Sequence, residues 1–295
     1  MPAIPIPPGV EGIVGLAELP DPAWVDRWDR IVVPDGLKDQ LLNYMLFSLR
    51  HRGRIHAVGL PVHGLVILSG PPGTGKTTLA GGLANRAAEE LGEAVLFVDI
   101  NPHAFPSQLL GESQRSVARL FERTLPDLAA RGLPTVVLLD EVEAMAVSRS
   151  GASLETNPVD VHRATEAVLA GVDFVARTCP GVTFVATTNH PAGVDVAFMS
   201  RADLVEGLGY PDAAAVHAIL LDTLGELTDR PMDGPRLRAL SAQCAASRVD
   251  TRQVRKLVLR AICDRRELAL DPSAIDVTDL ETTFRAERSR LEAAT

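Results

Sequence analysis

Eight consecutive residues, Gly70-Pro71-Pro72-Gly73-Thr74-Gly75-Lys76-Thr77, combine three glycines with a lysine and a hydroxyl. Glycines let the backbone curl until several N–H groups converge, and a helix opening at Lys76 adds positive potential at the same point. The result is a cradle for phosphate. Lys76 is long enough to reach the terminal phosphates, and the Thr77 hydroxyl is placed to ligate magnesium. We expect Pro72, Gly73, Thr74, Gly75, Lys76, Thr77 and Thr78 to contact ATP, bound with Mg2+. A second constellation follows at Val136–Leu139, an apolar run that ends in Asp140-Glu141. Asp140 would hold the metal through water, and Glu141 would orient and deprotonate an attacking water.

Three further residues carry weaker signals. Asn189 closes the run Thr187-Thr188-Asn189 at the end of a predicted strand. If that strand lies between those bearing the two motifs, Asn189 reaches the attacking water or the γ-phosphate; an ordinary strand-end turn also favours Asn. Arg201, in Asp195-Val-Ala-Phe-Met-Ser-Arg201-Ala-Asp203, stands just before another strand. An arginine there can act on the neighbouring subunit's nucleotide in a ring, or be a solvated surface residue. Arg252 opens a predicted helix and would fold over the nucleotide as a second sensor.

The elements that must position these residues alternate. Strands are expected at Leu65–Leu68, Ala94–Ile100, Thr135–Leu139, Val182–Thr187 and Leu204–Leu208, with helices at Lys76–Leu91, Glu112–Leu128 and Pro158–Arg177. That order predicts an α/β fold, a parallel sheet sandwiched by helices with right-handed crossovers. The Pro-rich residues 1–27 read as an extended lead-in. Trp28–Val33 reads as a short strand, and a helix follows Pro34-Asp35. After Gly209-Tyr210-Pro211 the strand signals stop, and four helices follow at Asp212–Leu224, Pro235–Ala245, Thr251–Leu268 and Asp276–Leu291. We therefore expect residues 28–210 to form a large ATPase subdomain and 211–295 a small helical lid.

The chain has 295 residues, 46% of them hydrophobic but only 4% aromatic, a bias that suits helices on a parallel sheet. A net charge of −9 argues against general attraction to nucleic acid. The basic strip from Arg248 to Arg266 lacks interleaved aromatics, and Val254, Leu257, Val258 and Ile262 give the same helix an apolar face. Cys179, Cys244 and Cys263 share no ligand spacing and read as buried thiols in a reducing compartment. Residues 1–19 have neither a basic start nor a long apolar run, so a soluble cytoplasmic protein is expected.

With these residues in place, the chain resembles the AAA+ remodellers of HORMA-domain proteins, the pachytene checkpoint protein 2 family. The resemblance is carried by Trp28–Tyr44, Gly70–Thr77, Asp99-Ile-Asn-Pro-His103, Gly111-Glu-Ser113, Leu138–Ala144, Asn157–Asp173 and Val194–Leu204. It implies a P-loop NTPase (AAA+) large subdomain with a helical lid, assembled into a homohexamer with ATP at subunit interfaces. The implied activity is ATP-driven partial unfolding of a HORMA-domain protein. Short bacterial relatives act beside cGAS-like nucleotidyltransferases in CBASS antiphage signalling, where they dismantle the activated complex. Fewer than thirty residues precede Trp28, so the chain resembles this short type, recruiting substrate through the ring surface or the lead-in. The first pore loop matches Phe105-Pro-Ser-Gln108-Leu109-Leu110, with leucines where the family offers an aromatic. Leu109 and Leu110 form either an apolar paddle or a buried helix start. Ser148–Thr156 reads as a second mobile loop or an ordinary flexible one.

Two other functions compete. A nucleic-acid-linked AAA+ ATPase, of clamp-loader or transposition-regulator type, is disfavoured by the acidic charge. A nucleotide switch with little turnover is disfavoured by the presence of both Asp140 and Glu141.

Overall fold

A computed structural model describes residues 4–6, 10–56, 62–105, 112–148, 158–232 and 234–293. The chain divides into two compact units. The second begins at Gly209 and also takes in Val32–Pro34 and Pro71–Gly75.

In the first unit, strand β1 (Ile13–Leu19) precedes helices α1 (Val25–Asp29) and α2 (Leu37–His56). Then come β2 (Leu65–Ser69), α3 (Lys76–Leu91), β3 (Val95–Ile100), α4 (Glu112–Arg119), α5 (Leu125–Ala129) and β4 (Thr135–Leu139). Helix α6 (Pro158–Thr178), β5 (Val182–Thr188), the short α7 (Val196–Met199) and β6 (Leu204–Gly207) complete it. The sheet runs β1-β3-β4-β5-β2-β6. All pairs are parallel except β1 with β3, which are antiparallel.

Every residue of β4 and β5 is buried, as strands covered on both faces require. One face packs Phe121, Val168, Val172 and Val175 onto Val137, Leu139 and Phe184. On α3, Gly81 and Gly82 sit where a Cβ would meet the rings of Trp24 and Trp28 at 2.2 and 2.9 Å. Two glycines inside a helix cost about 1 kcal/mol each against alanine. Here they let the two indoles lie against α3.

Three expectations for the first unit are corrected. Residues Ile13–Leu19 are not part of a bare lead-in, because they form an edge strand hydrogen-bonded along β3. Trp28–Val33 is not a strand, since Trp28 belongs to α1 and docks on α3. The helix expected over Glu112–Leu128 is interrupted by a π turn at Leu120–Thr124, which buries both Leu120 and Phe121. The expected pore-loop residues Gln108, Leu109 and Leu110, and the Ser148–Thr156 loop beyond Ser148, lie outside the described residues.

The second unit holds α8 (Ala213–Gly225), α9 (Gly234–Ala246), α10 (Thr251–Cys263), α11 (Arg266–Leu270) and α12 (Val277–Ala293). The single helix expected at Thr251–Leu268 is two, α10 and α11, broken between Cys263 and Arg266. Its core joins Val216, Ile219, Leu220, Leu237, Leu240, Val254, Leu257, Val258 and Leu280. Asp212 and Asp250 cap α8 and α10 through their carboxylates. Cys179 and Cys244 are buried, whereas Cys263 is exposed, contrary to its expected burial.

Candidate nucleotide-hydrolysis site

The sheet order puts β5 between β4 and β2, so three motifs leave the carboxyl ends of adjacent strands. That edge is where ligands bind in open α/β sheets. β2 runs into the glycine-rich loop, β4 into Asp140-Glu141, and β5 into Asn189. Register makes them neighbours: Ser69 faces Thr188, and Leu139 faces Ala186.

The glycine-rich loop is anchored where it leaves the sheet. Gly70 N–H donates to Thr188 O at 3.2 Å, and Leu208 N–H to Ser69 O at 2.7 Å. Gly70 has φ 146°, and a Cβ there would come within 2.0 Å of Leu208 O, so only glycine fits. Gly73 and Gly75 also adopt positive φ. Within the loop, Thr74 Oγ1 donates to Pro71 O. Lys76, buried at the start of α3, sends its ammonium back to Gly70 O at 2.7 Å. Burial lowers its pKa, while the carboxylates of Glu143, Asp140 and Glu141 oppose that shift.

Asp140 receives two hydroxyls on one oxygen. Thr77 Oγ1 donates to Oδ1 at 2.9 Å, and Thr187 Oγ1 donates to the same atom at 2.5 Å. A carboxylate and a hydroxyl this close, one after β4 and the other on α3, suit Mg2+, which takes few protein oxygens and keeps its waters. Asp99, on the neighbouring β3, has its pKa pushed up to about 6, first by burial and then by the Asp140 charge.

Glu141 is held in a conformation few side chains adopt, with φ 53° and ψ 52°. A left-handed non-glycine residue costs of order 1–3 kcal/mol and persists only where its surroundings fix it. Three contacts do so. Its N–H donates to Thr187 Oγ1 at 3.0 Å. Asn189 Nδ2 donates to its Oε1 at 3.2 Å, and His103 Nε2 lies 3.2 Å from its Oε2. Asn189 is thus aimed at the carboxylate proposed as the base. Its own N–H donates to Glu143 Oε1 at 2.9 Å.

Thr187, Glu143 and His103 are site residues the sequence reading left without roles. Thr187 could have been found by its place one residue beyond the β4–β5 register. No local signal marks the other two, since their contacts cross between loops.

Arg201 makes its described contacts with other residues than these. Arg201 is engaged within its own unit, its guanidinium forked onto Asp173 at 2.8 Å through both Nε and Nη2. Arg252 is exposed in the first turn of α10, in the second unit. Thr78 is exposed on α3 beside Thr77.

A glycine-rich loop after one strand, an acidic pair after a second and an asparagine after the strand between them are the arrangement expected of a P-loop ATPase of the AAA class. Residues 66–210 match the family described as "ATPase family associated with various cellular activities (AAA)". The chain is 42% identical over 291 residues to CD-NTase-associated protein 6 of Pseudomonas aeruginosa, covering 96% of this chain and 94% of that one. It is 33% identical to the pachytene checkpoint protein 2 homolog of Danio rerio over 73% of this chain and 52% of that protein. It thus spans about half the length of that vertebrate relative. The chain belongs to the pachytene checkpoint protein 2-like AAA+ ATPases, on the side of CD-NTase-associated protein 6. Its fold is shared with a chain of the HORMA:CdnC:Trip13 complex of E. coli MS115-1, at TM-score 0.79 and 19% identity over 95% of this chain and 97% of that one. It is likewise shared with C. elegans PCH-2, at TM-score 0.75 and 22% identity over 95% and 77%. Among the described residues no helix is long and apolar enough to cross a membrane.

Proposed function

We propose that this protein hydrolyses ATP and uses the energy to partially unfold a HORMA-domain protein. In doing so it disassembles a HORMA complex with a cGAS-like nucleotidyltransferase and restrains CBASS antiphage signalling. The observation that carries the reading is the near full-length relationship to CD-NTase-associated protein 6. It is supported by the fold shared with a chain of a HORMA:CdnC:Trip13 complex. The working form would be a homohexamer.

The chemistry follows from the site. The loop from Pro72 to Gly75 would cradle the phosphates, with Lys76, Thr77 and Thr78 at the head of α3. Thr77 and Asp140 would hold Mg2+, whose charge would offset that of the terminal phosphates. Glu141 orients a water toward the γ-phosphorus and takes its proton. The new P–O bond forms as the bond to the β-phosphate oxygen breaks, leaving ADP and phosphate. Asn189 fixes the Glu141 carboxylate for that task. Arg201 would act on the nucleotide of the adjoining subunit and Arg252 on that of its own, each stabilising negative charge.

The test is ATP turnover measured alone and with a purified HORMA-domain protein bound to its nucleotidyltransferase. The reading expects turnover that the HORMA protein stimulates, with nucleotidyltransferase released. Turnover indifferent to HORMA protein but stimulated by DNA, in a salt-sensitive way, would favour a nucleic-acid-linked ATPase instead.

A further inference from the structure

The carboxylate of Glu143 serves neither as the base nor as a metal ligand in the proposed chemistry, yet it is built into the site. It lies on the 3-10 turn Val142–Ala144 directly after Glu141. Oε1 accepts the backbone N–H of Asn189 at 2.9 Å. Oε2 is buried and has no hydrogen-bond partner among the described residues. A buried carboxylate oxygen without a partner is expensive, so such a group persists where it has a task.

The segments around it are laced together without its help. Ser148 N–H donates to Gly193 O and Asp195 N–H to Ala146 O, each at 2.8 Å, and Val147 bridges Val194. These contacts hold the chain after β4 against the chain after β5. The Glu143–Asn189 bond adds something narrower: it fixes the peptide that carries Asn189, whose side chain then reaches Glu141 Oε1. The chain of contacts runs Glu143 to Asn189 to Glu141. Glu143 also contributes the largest of the carboxylate influences on Lys76.

We propose that Glu143 is a positioning residue for ATP hydrolysis, holding the Asn189 backbone through Oε1 so that Asn189 aims Glu141. This rests on the reading of Glu141 as the base. Two variants separate the bond from the charge. Glu143→Ala removes both, whereas Glu143→Gln removes the charge and keeps an acceptor oxygen of the same reach. Both should bind ATP at least as tightly as the parent, since each relieves one negative charge near the phosphates. Only the alanine variant should lose kcat, by about tenfold, with Gln within about threefold of the parent. In an Asn189→Ala background, Glu143→Ala should cost less than about twofold more, because the two act as one unit.

Amide hydrogen exchange in peptides spanning Asn189 reads the bond itself, independently of turnover. It should rise in Glu143→Ala and stay near the parent's in Glu143→Gln. Equal losses of kcat in both variants, or multiplying losses in the double variant, would overturn the proposal, as would unchanged exchange in Glu143→Ala. If the parent protein hydrolyses no ATP, the proposed function fails, and the exchange measurement still decides whether Glu143 positions Asn189.

Discussion

Arg201 grips Asp173 with two parallel hydrogen bonds, Nε to Oδ1 and Nη2 to Oδ2, each 2.8 Å long. The fork geometry matches guanidinium to carboxylate, and it holds the Asp173 pKa below the ordinary carboxylate range, with the Arg201 hydrogen bonds as the chief cause. A third Arg201 bond runs from Nη1 to Ala197 O at 2.7 Å. The arginine proposed to serve a neighbouring subunit is therefore not a loose surface side chain. Asp173 presents it in one orientation.

Replacing Asp173 by Asn should destabilise the protein by about 1 kcal/mol at neutral pH, since the pair is bidentate but only partly buried. The sign follows from the depressed pKa. The contribution is present above the unfolded carboxylate pKa and is lost as the pH falls through the folded one. Denaturation of parent and variant at pH 7 and near pH 3 checks this. A difference that persists undiminished at the lower pH would rule out the ion pair as its source.

Glu141→Gln should leave ATP binding intact and lower turnover by at least about 10²-fold, the scale of general base catalysis. The amide keeps the size of the side chain and an oxygen for Asn189 but cannot accept the proton of water. Nucleotide binding by fluorescence and turnover by phosphate release, on the same preparation, provide the check. Turnover within a few-fold of the parent would remove Glu141 from the role of base.

Which parts of this site were legible in the sequence has a physical explanation. The glycine-rich loop and the Asp140-Glu141 pair at the end of β4 are encoded by local spacing, where glycines, a lysine and an apolar run suffice. The six residues of β3 and the five of β4 were legible to within a residue because apolar runs bounded by turns mark buried strands. β1 was missed because its partner β3 lies about eighty residues away, and prolines before it masked the pattern. Ile31-Val32-Val33 suggested a strand by β-branched propensity. The chain just before it is instead placed by Trp24 and Trp28 docking on Gly81 and Gly82, a long-range fit that no local pattern reveals. The contacts of His103 with Glu141 and of Glu143 with Asn189 depend on which loops meet at the sheet edge, so they emerge only with the fold.

Thr187 joins the two acidic residues, donating to Asp140 Oδ1 and accepting from Glu141 N–H. Thr187→Val keeps the shape but removes both bonds, leaving a part-buried N–H without its acceptor and a strained Glu141 with one of its three contacts gone. We expect a loss of about 1–3 kcal/mol in stability and a fall in turnover of about tenfold or more. Thr187→Ser, which restores the hydroxyl, should recover most of both. Thermal unfolding and phosphate release on the pair of variants test it, and a serine variant as impaired as valine would argue for the methyl group instead.

Asp99 offers a measurement of the field at the site before nucleotide arrives. Its pKa in the folded protein is about 6 against 3.8 for the free side chain, raised by burial first and by the Asp140 charge second. The folded protein therefore binds this proton more tightly than the unfolded chain. Linkage then requires that its contribution to stability falls as the pH rises from about 4 to about 6, and that the full penalty of a buried charge is present above that. Asp99→Asn removes the charge while keeping the shape. It should raise the unfolding midpoint of the nucleotide-free protein at pH 8, and the gain should shrink toward zero near pH 4. Adding Mg2+ should narrow the gain at pH 8, because a cation beside Asp140 relieves part of the repulsion that Asp99 feels. A variant less stable than the parent at pH 8 would mean that the Asp99 carboxylate is stabilised there as an anion, contrary to its half-buried position near the Asp140 charge.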